Sequence, residues 1–443
     1  MMTCLMLLWT PLIVAWVPAS SSPKSSTSSR RFQYQLPVTL GLSTTKLSAQ
    51  LNPLISTIQP SKTVEIFSLV KELESQGEHV TSLCVGEPDF APPQAVLNAA
   101  AAALLSGDTK YTAVTGTVPL RRAIANDLKQ RKGLDYNPMT EIVVANGAKQ
   151  AVYQGILATA GVGDAVLIPA PYWPSYPEMV RLAGAEPIIV ETSASEGFLL
   201  TPEALRASLE QNPNTKLLIF CNPSNPTGGV HDATRLAELA AVLEDFPQVL
   251  VLADEIYERL VYTGEDCPSM ATYLYDRTLL INGFSKAYAM TGFRLGYLAA
   301  PAPYAKACTT LQSQLTSCAG SISQAAGLAA LEEVDEAELQ EKFAEMKDKR
   351  DYVLERLAAM PHVHVAVPPQ GAFYVLPDIS HYITDELDDV EFCKTLLSKQ
   401  KLAIVPGSAF GAPGTVRISY ATSREELAIA MDKLQTYLLS LSL

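Results

Sequence analysis

Histidine is scarce in this chain, five in 443 residues, and none belongs to an HExxH pair. The seven cysteines form no CxxC pair, so neither common zinc signature is present and no metal is expected. His362 and His364 have strand spacing that would set both rings on one face, yet no cysteine or carboxylate accompanies them, and a solvated pair is expected there. The cysteines are odd in number and share no disulfide-like spacing, which reads as buried thiols in a reducing compartment. No glycine-rich nucleotide fingerprint follows an early strand, no Ser/His/Asp set has supporting context, and no internal repeat is evident. Positive charge is also in deficit: 33 Lys and Arg stand against 46 Asp and Glu, a net charge of −13 that gives nucleic-acid binding no electrostatic support.

Acid is missing from the start of the chain, where the first carboxylate is Glu65. Residues 5–17 are apolar but broken by Thr10-Pro11, too short to span a bilayer comfortably and suited to a signal-peptide core. Val17-Pro18-Ala19 then offers small residues for cleavage. From 20 to 50 the chain is rich in Ser and Thr, carries Lys24, Arg30, Arg31 and Lys46, and has transit-peptide composition. A signal-like segment at 1–19 followed by a transit-like one at 20–50 predicts import into a plastid, including a complex plastid, with a mitochondrion as the alternative. No membrane association is expected of the mature protein.

The remaining length suits two cores rather than one. Short apolar runs, AVLIP (165–169), LLIFC (217–221), VLVLA (249–253) and TLLIN (278–282), read as strands buried on both faces. Helical patterns separate them at 147–160, 176–184, 202–211 and 231–244, the third opened by Thr201-Pro202 as a cap with proline at the first helical position. That alternation predicts a mostly parallel α/β sheet covered by helices on both faces. Ligands of such sheets bind at the carboxyl ends of the strands. Trp173, Asn225, Asp254, Tyr257 and Lys286 all fall just past such ends. A lysine there can hold an aldehyde as a Schiff base, and Arg294, eight residues on, can grip a phosphate with its planar fork. A large domain is expected at 91–321. A smaller α/β domain is expected from 322–443, with a helix at 337–358 and strand-like 362–367, 372–376 and 402–405, joined by the arm and first part at 51–90.

The runs NPSNPTG (222–228), DEIY (254–257), GFSKAYAMTGFRLGY (283–297) and VRISYA (416–421) resemble those of class I aminotransferases, the fold type I enzymes that use pyridoxal phosphate. Likeness extends from about Leu51 to the C-terminus. VGEPDF (85–90), KYTAVTG (110–116), NGAKQA (146–151) and PYWPSYPEM (171–179) are similar to the aspartate aminotransferase branch of bacteria and plastids, and PSKT (60–63) with NGAKQ to its plastidial aspartate/prephenate members. The resemblance implies a seven-stranded sheet in the large domain, amino and keto acids as substrates, and a homodimer with shared active sites.

The roles follow from chemistry and from the matched motifs. Asp254 is the carboxylate to face a protonated ring nitrogen, or else a helix N-cap. Tyr257 and Asn225 can donate to the cofactor's phenolate oxygen, though Asn before Pro-Thr-Gly is otherwise an ordinary turn. Phosphate would lean on Arg294, Ser285 and the amides around Ala148 and Lys149 at a helix start, because Gly283 stands where relatives often have serine. Trp173 offers a stacking face, or is a core tryptophan. Lys286 would move the proton at the substrate's Cα, and Arg417 would take the α-carboxylate with both oxygens. On resemblance alone, Tyr111 reaches the partner's phosphate, Gly86 borders the substrate, and Lys149 with Thr63 meets its distal carboxylate. Other readings compete: an aminotransferase of other specificity (aromatic, alanine or kynurenine type), a lyase on the same scaffold, and a cofactor-binding regulator, for which no basic helical module is present.

Overall fold

The computed structural model describes residues 52–59 and 62–441. The leader segments at 1–19 and 20–50 lie outside those residues, as does the side chain of Thr63. The strands, in chain order, are β1 (Thr81–Ser82), β2 (Ile142–Ala145), β3 (Ala165–Pro169), β4 (Glu186–Val190), β5 (Thr215–Cys221), β6 (Leu250–Asp254), β7 (Thr278–Gly283), β8 (Gly296–Ala299), β9 (Tyr374–Val375), β10 (Leu402–Ala403), β11 (Val405–Pro406) and β12 (Val416–Ser419). The helices are α1 (Lys62–Ser75), α2 (Gln94–Ser106), α3 (Val118–Lys132), α4 (Ala148–Thr159), α5 (Ser175–Leu182), α6 (Pro202–Gln211), α7 (Ala233–Glu244), α8 (Ala302–Leu315), α9 (Ser321–Glu332), α10 (Glu336–Ala358), α11 (Asp389–Gln400) and α12 (Arg424–Leu441).

Seven strands form one sheet in the order β2-β8-β7-β6-β5-β3-β4. Only β8 runs against the rest, pairing antiparallel with both β2 and β7. The apolar runs are central because helices cover both faces: every residue of β6 and β7 is buried. Each such leucine or isoleucine contributes about 1.5–3 kcal/mol of burial, so a strand of this kind cannot be moved to an edge cheaply. Thr201 caps α6 as its sequence suggests, its hydroxyl accepting from the Ala204 amide at 3.1 Å.

The reversal of β8 matters for the site. Its amino end, Gly296, pairs with Gly283 at the carboxyl end of β7, so Arg294, two residues earlier, comes to the same sheet edge as Lys286. Gly296 also packs against the start of α4, where a Cβ would lie 2.4 Å from the Ala148 nitrogen. No side chain fits there.

Beyond the sheet, β11, β12 and β9 pair antiparallel, and β1 pairs with β10. The strand ending in β1 is stitched between them: Leu83 N–H donates to the Ala403 carbonyl and Ser419 N–H to the Leu83 carbonyl, at 2.9 and 3.0 Å. This carries residues 84–86 towards the carboxyl edge of the large sheet.

Two expectations need correction. Residues 362–367 form no strand: proline at 361 and at 368 and 369 bounds the segment, and His362 adopts φ 55, leaving an isolated bridge between His364 and Asp378. His362 therefore stacks on His381, with ring centroids 3.7 Å apart, rather than sharing a strand face with His364. Nor does His231 open the helix expected at 231–244. Asp232 caps α7, and His231 is buried with Nε2 accepting from the Leu200 amide, its pKa lowered to about 3 by burial and by Arg235.

Candidate active site

A cavity of about 660 Å³ opens at the carboxyl edge of the large sheet. Four strand ends build its floor. Asp254 closes β6; Asn225 and Cys221 come from the end of β5; Lys286 and Ser285 follow β7; Trp173 and Tyr176 follow β3. Asp254 is 5 % exposed, and burial raises its carboxyl to about 6. Hydrogen bonds from the Tyr176 phenol, 2.7 Å to Oδ2, and from the Ile256 amide oppose that rise. Tyr257 is buried one turn away, its hydroxyl 3.0 Å from that of Tyr374.

Lys286 Nζ donates to the Gly86 carbonyl and lies 5.8 and 5.7 Å from the ring centres of Tyr257 and Phe373. Burial lowers its pKa to about 8; Glu87 works against this, while Arg417 and Arg294 reinforce it. An amine so depressed is available in its neutral, nucleophilic form near neutral pH.

One end of the cavity is cationic. Gly147 begins α4 with φ 88, and a Cβ there would sit 2.5 Å from Arg294 Nη2, so only glycine lets the guanidinium reach the helix start. Lys149 Nζ lies 5.0 Å from the Trp173 ring centre, and its ammonium is lowered by burial and by Arg294. Two cations, the buried Ser285 and a helix amino end thus converge where an anion can be held.

Arg417 enters from β12. It is 4 % exposed, with Nη2 donating 2.6 Å to the Cys84 carbonyl and Nη1 3.3 Å to Asn225 Oδ1. Rings of Tyr374 and Phe410 lie 4.5 and 4.9 Å from its guanidinium carbon. Its Nε has no partner, and no carboxylate pairs with it among the described residues. A buried cation without a counterion is costly unless a ligand supplies one.

The donor set fits pyridoxal phosphate: a cationic pocket at a helix start, a buried carboxylate for a protonated ring nitrogen, an aromatic face and a depressed lysine share one cavity. Of the residues singled out in the sequence, Gly86, Ala148, Lys149, Trp173, Asn225, Asp254, Tyr257, Ser285, Lys286, Arg294 and Arg417 line it together. Tyr111 does not; it is 89 % exposed. Thr63's neighbour Val64 is on the wall. Sequence reasoning missed Tyr176 and Cys84, whose types carry no signal by themselves. It also missed the buried ion network behind DEIY, in which Lys132 Nζ lies 3.1 Å from Glu255 and Arg131 2.7 Å from Glu258. This network fixes the turn that carries Asp254 and Tyr257. Among the described residues no cluster could hold a metal ion, and no helix is long and apolar enough to cross a membrane.

A family model for aminotransferase class I and II matches residues 78–434. The chain is 44 % identical to an aspartate aminotransferase of Pinus pinaster over 408 residues, covering 89 % of this chain and 82 % of that one. It is 42 % identical over 412 residues to a bifunctional aspartate aminotransferase and glutamate/aspartate-prephenate aminotransferase of Petunia hybrida, covering 89 % and 84 %. Among solved structures, the Thermus thermophilus aspartate aminotransferase with maleate superposes with a TM-score of 0.83 at 39 % identity, covering 88 % of this chain and 100 % of that one.

Proposed function

This chain belongs to the class I and II aminotransferases, a pyridoxal-phosphate-dependent family, and on that footing we propose that it moves the amino group of aspartate or glutamate to 2-oxoglutarate, oxaloacetate and prephenate. The observation that carries the proposal is Arg417, a buried fork with no carboxylate partner among the described residues, in one cavity with a lysine depressed to about 8.

Pyridoxal phosphate, when bound, supplies an electron sink for the pair of electrons left at the substrate's Cα. Arg294, Ser285 and the amino end of α4 bind its phosphate, and Trp173 presents a ring face. Asp254 keeps the ring-nitrogen proton in place, and Tyr257 and Asn225 donate towards the phenolate oxygen. Arg417 takes the α-carboxylate, which fixes the direction of the Cα–H bond. Lys286, as a neutral amine, would take the proton from Cα and deliver it to the cofactor's C4′, and would carry it the other way when a keto acid is bound. Each substrate uses the same groups in turn, so the kinetics are ping-pong.

Prephenate is proposed because Lys149 is left to meet a second carboxylate, a role the resemblance shares with Thr63. A flexible ammonium accommodates carboxylates at different reach more readily than a rigid fork. The test is an assay of purified protein with aspartate or glutamate as donor and each keto acid as acceptor. Arogenate from prephenate supports the proposal; none leaves a plain aspartate aminotransferase, and turnover without any keto-acid acceptor would indicate a lyase.

We further propose a homodimer in which Tyr111, exposed on its own chain, completes the partner's phosphate site. Inactive Tyr111 and Lys286 variants should regain activity when mixed and refolded; hybrids without activity would place each site within one chain. The leader composition supports plastid import, which a fluorescent fusion to residues 1–50 would test. Division into 51–90 with 322–443 against 91–321 remains our proposal for the two domains.

A further inference from the structure

We propose that Tyr176 is the positioning residue for Asp254: its phenol holds the carboxylate ionised and aimed into the cavity, and so governs how firmly the cofactor's ring nitrogen keeps its proton. The inference rests on the aminotransferase assignment and deepens it. Tyr176 is 2 % exposed on the first turn of α5, and its O–H donates 2.7 Å to Asp254 Oδ2. The carboxylate's other donor is the Ile256 amide, 3.4 Å from Oδ1 and at the edge of bonding range. Tyr176 therefore makes the one strong hydrogen bond to this group.

Three features make the phenol a fixed donor rather than a space-filling ring. Its amide donates 3.0 Å to the Trp173 carbonyl, and its ring meets Trp173 edge-on, centroids 5.3 Å apart at 85°. One short turn thus places both the stacking face and the partner of Asp254. Burial and the charge of Asp254 push the phenol well above 10, so it does not ionise and always has a proton to donate. The Cys221 thiol beside it is raised to about 12 by burial, so it stays neutral and does not compete as an anion.

The groups facing Asp254 are Tyr176 from α5, Cys221 from β5, Lys286 after β7, and Glu255 with the Ile256 amide on its own turn. Burial and Glu255 favour its protonation; Tyr176, Ile256 and Lys286 oppose it. Removing the phenol shifts the balance towards a neutral carboxyl, formed when the carboxylate takes the proton of the ring nitrogen instead of leaving it there.

The test is Tyr176→Phe in the cofactor-loaded protein. Phenylalanine keeps the ring and its contact with Trp173 and loses only the hydroxyl. Cofactor release should quicken about ten- to hundred-fold, the usual effect of one hydrogen bond to a charged group. The pH midpoint of the bound cofactor's visible absorption should rise, and kcat should fall with little change in KM for the amino donor. In an Asp254→Asn background the same substitution should have no further effect on release, because the charge it serves is gone. Tyr176→His, which retains a ring N–H, should lie nearer the wild type than Tyr176→Phe and serves as the second variant if phenylalanine disturbs folding. Release within twofold of wild type with an unmoved midpoint overturns the inference, as does an equal effect in both backgrounds. A wild-type protein that binds no pyridoxal phosphate would instead defeat the assignment beneath it.

Discussion

Replacing Arg417 by lysine preserves the charge and removes the fork. In the folded protein the guanidinium carbon lies 4.5 and 4.9 Å from the ring centres of Tyr374 and Phe410 and the group is tethered to Cys84 and Asn225, so its geometry is set before any substrate arrives. An ammonium can reach one carboxylate oxygen but cannot present two parallel N–H bonds. Losing one charge-assisted hydrogen bond costs about 1.5–3 kcal/mol, which is about ten- to hundred-fold in kcat/KM. Both half-reactions should suffer alike, since amino acid and keto acid each carry the α-carboxylate. Single-turnover absorbance changes, first with the amino donor and then with the keto acid, read each half separately. Cofactor retention should be unchanged. A variant within threefold of wild type, or one impaired in a single half-reaction, would refute the role given to Arg417.

Lys286→Ala should abolish turnover and leave no lysine adduct on borohydride reduction, whereas the wild-type protein should yield one labelled peptide containing residue 286. Gly147→Ala places a Cβ 2.5 Å from Arg294 Nη2 at φ 88, and it should weaken cofactor affinity at least about tenfold, measured by titrating cofactor-free protein. In that cofactor-free protein burial holds Lys286 at about 8, against 10.5 for an ordinary lysine. Between these values the unfolded chain holds the extra proton, so the stability set by this group should rise with pH from 8 to 10.5 and be lost as pH falls back to 8, with no further change below. Denaturant melts of wild type and Lys286→Met should show a stability difference that shifts in the wild type's favour over that range; a constant difference would count against the depressed amine.

The large sheet was legible because its strands are buried on both faces, which leaves continuous apolar runs such as LLIFC and TLLIN that end where Asn225 and Lys286 begin. Arg294 was legible as a candidate phosphate ligand only by its spacing from Lys286; its arrival at the sheet edge depends on β8 running backwards, and nothing local in GYLA encodes strand direction. Tyr176 was hidden because a tyrosine on the buried face of an amphipathic helix looks like any core residue. Histidine spacing at 362 and 364 misled for the opposite reason. Alternation implies a strand only when the backbone stays extended, and His362 at φ 55 does not. Arg417 needed a partner from the far end of the sequence, the Cys84 carbonyl 333 residues away, before it could be seen as a buried fork.

Charge distribution adds a constraint that composition conceals. The chain carries −13 overall, yet Arg294, Lys149 and Arg417 reach one cavity with no carboxylate ion-paired to any of them among the described residues. An acidic exterior repels anions at long range, so the three cations act chiefly once a substrate has entered, where the lower dielectric strengthens them. Arg294 lies beside the helix start that suits a phosphate, and Arg417 is fixed by two carbonyl oxygens in the grip suited to an α-carboxylate. Lys149, on the first turn of α4 with its ammonium 5.0 Å from the Trp173 ring centre, is the cation left for a second carboxylate. A substrate with one carboxylate leaves Lys149 unpaired at little cost, because the residue as a whole is exposed and its ammonium only partly buried. Discrimination in favour of dicarboxylates should therefore be modest in KM and sensitive to salt, whereas the demand for the α-carboxylate, set by a buried arginine, should be strict and nearly salt-independent.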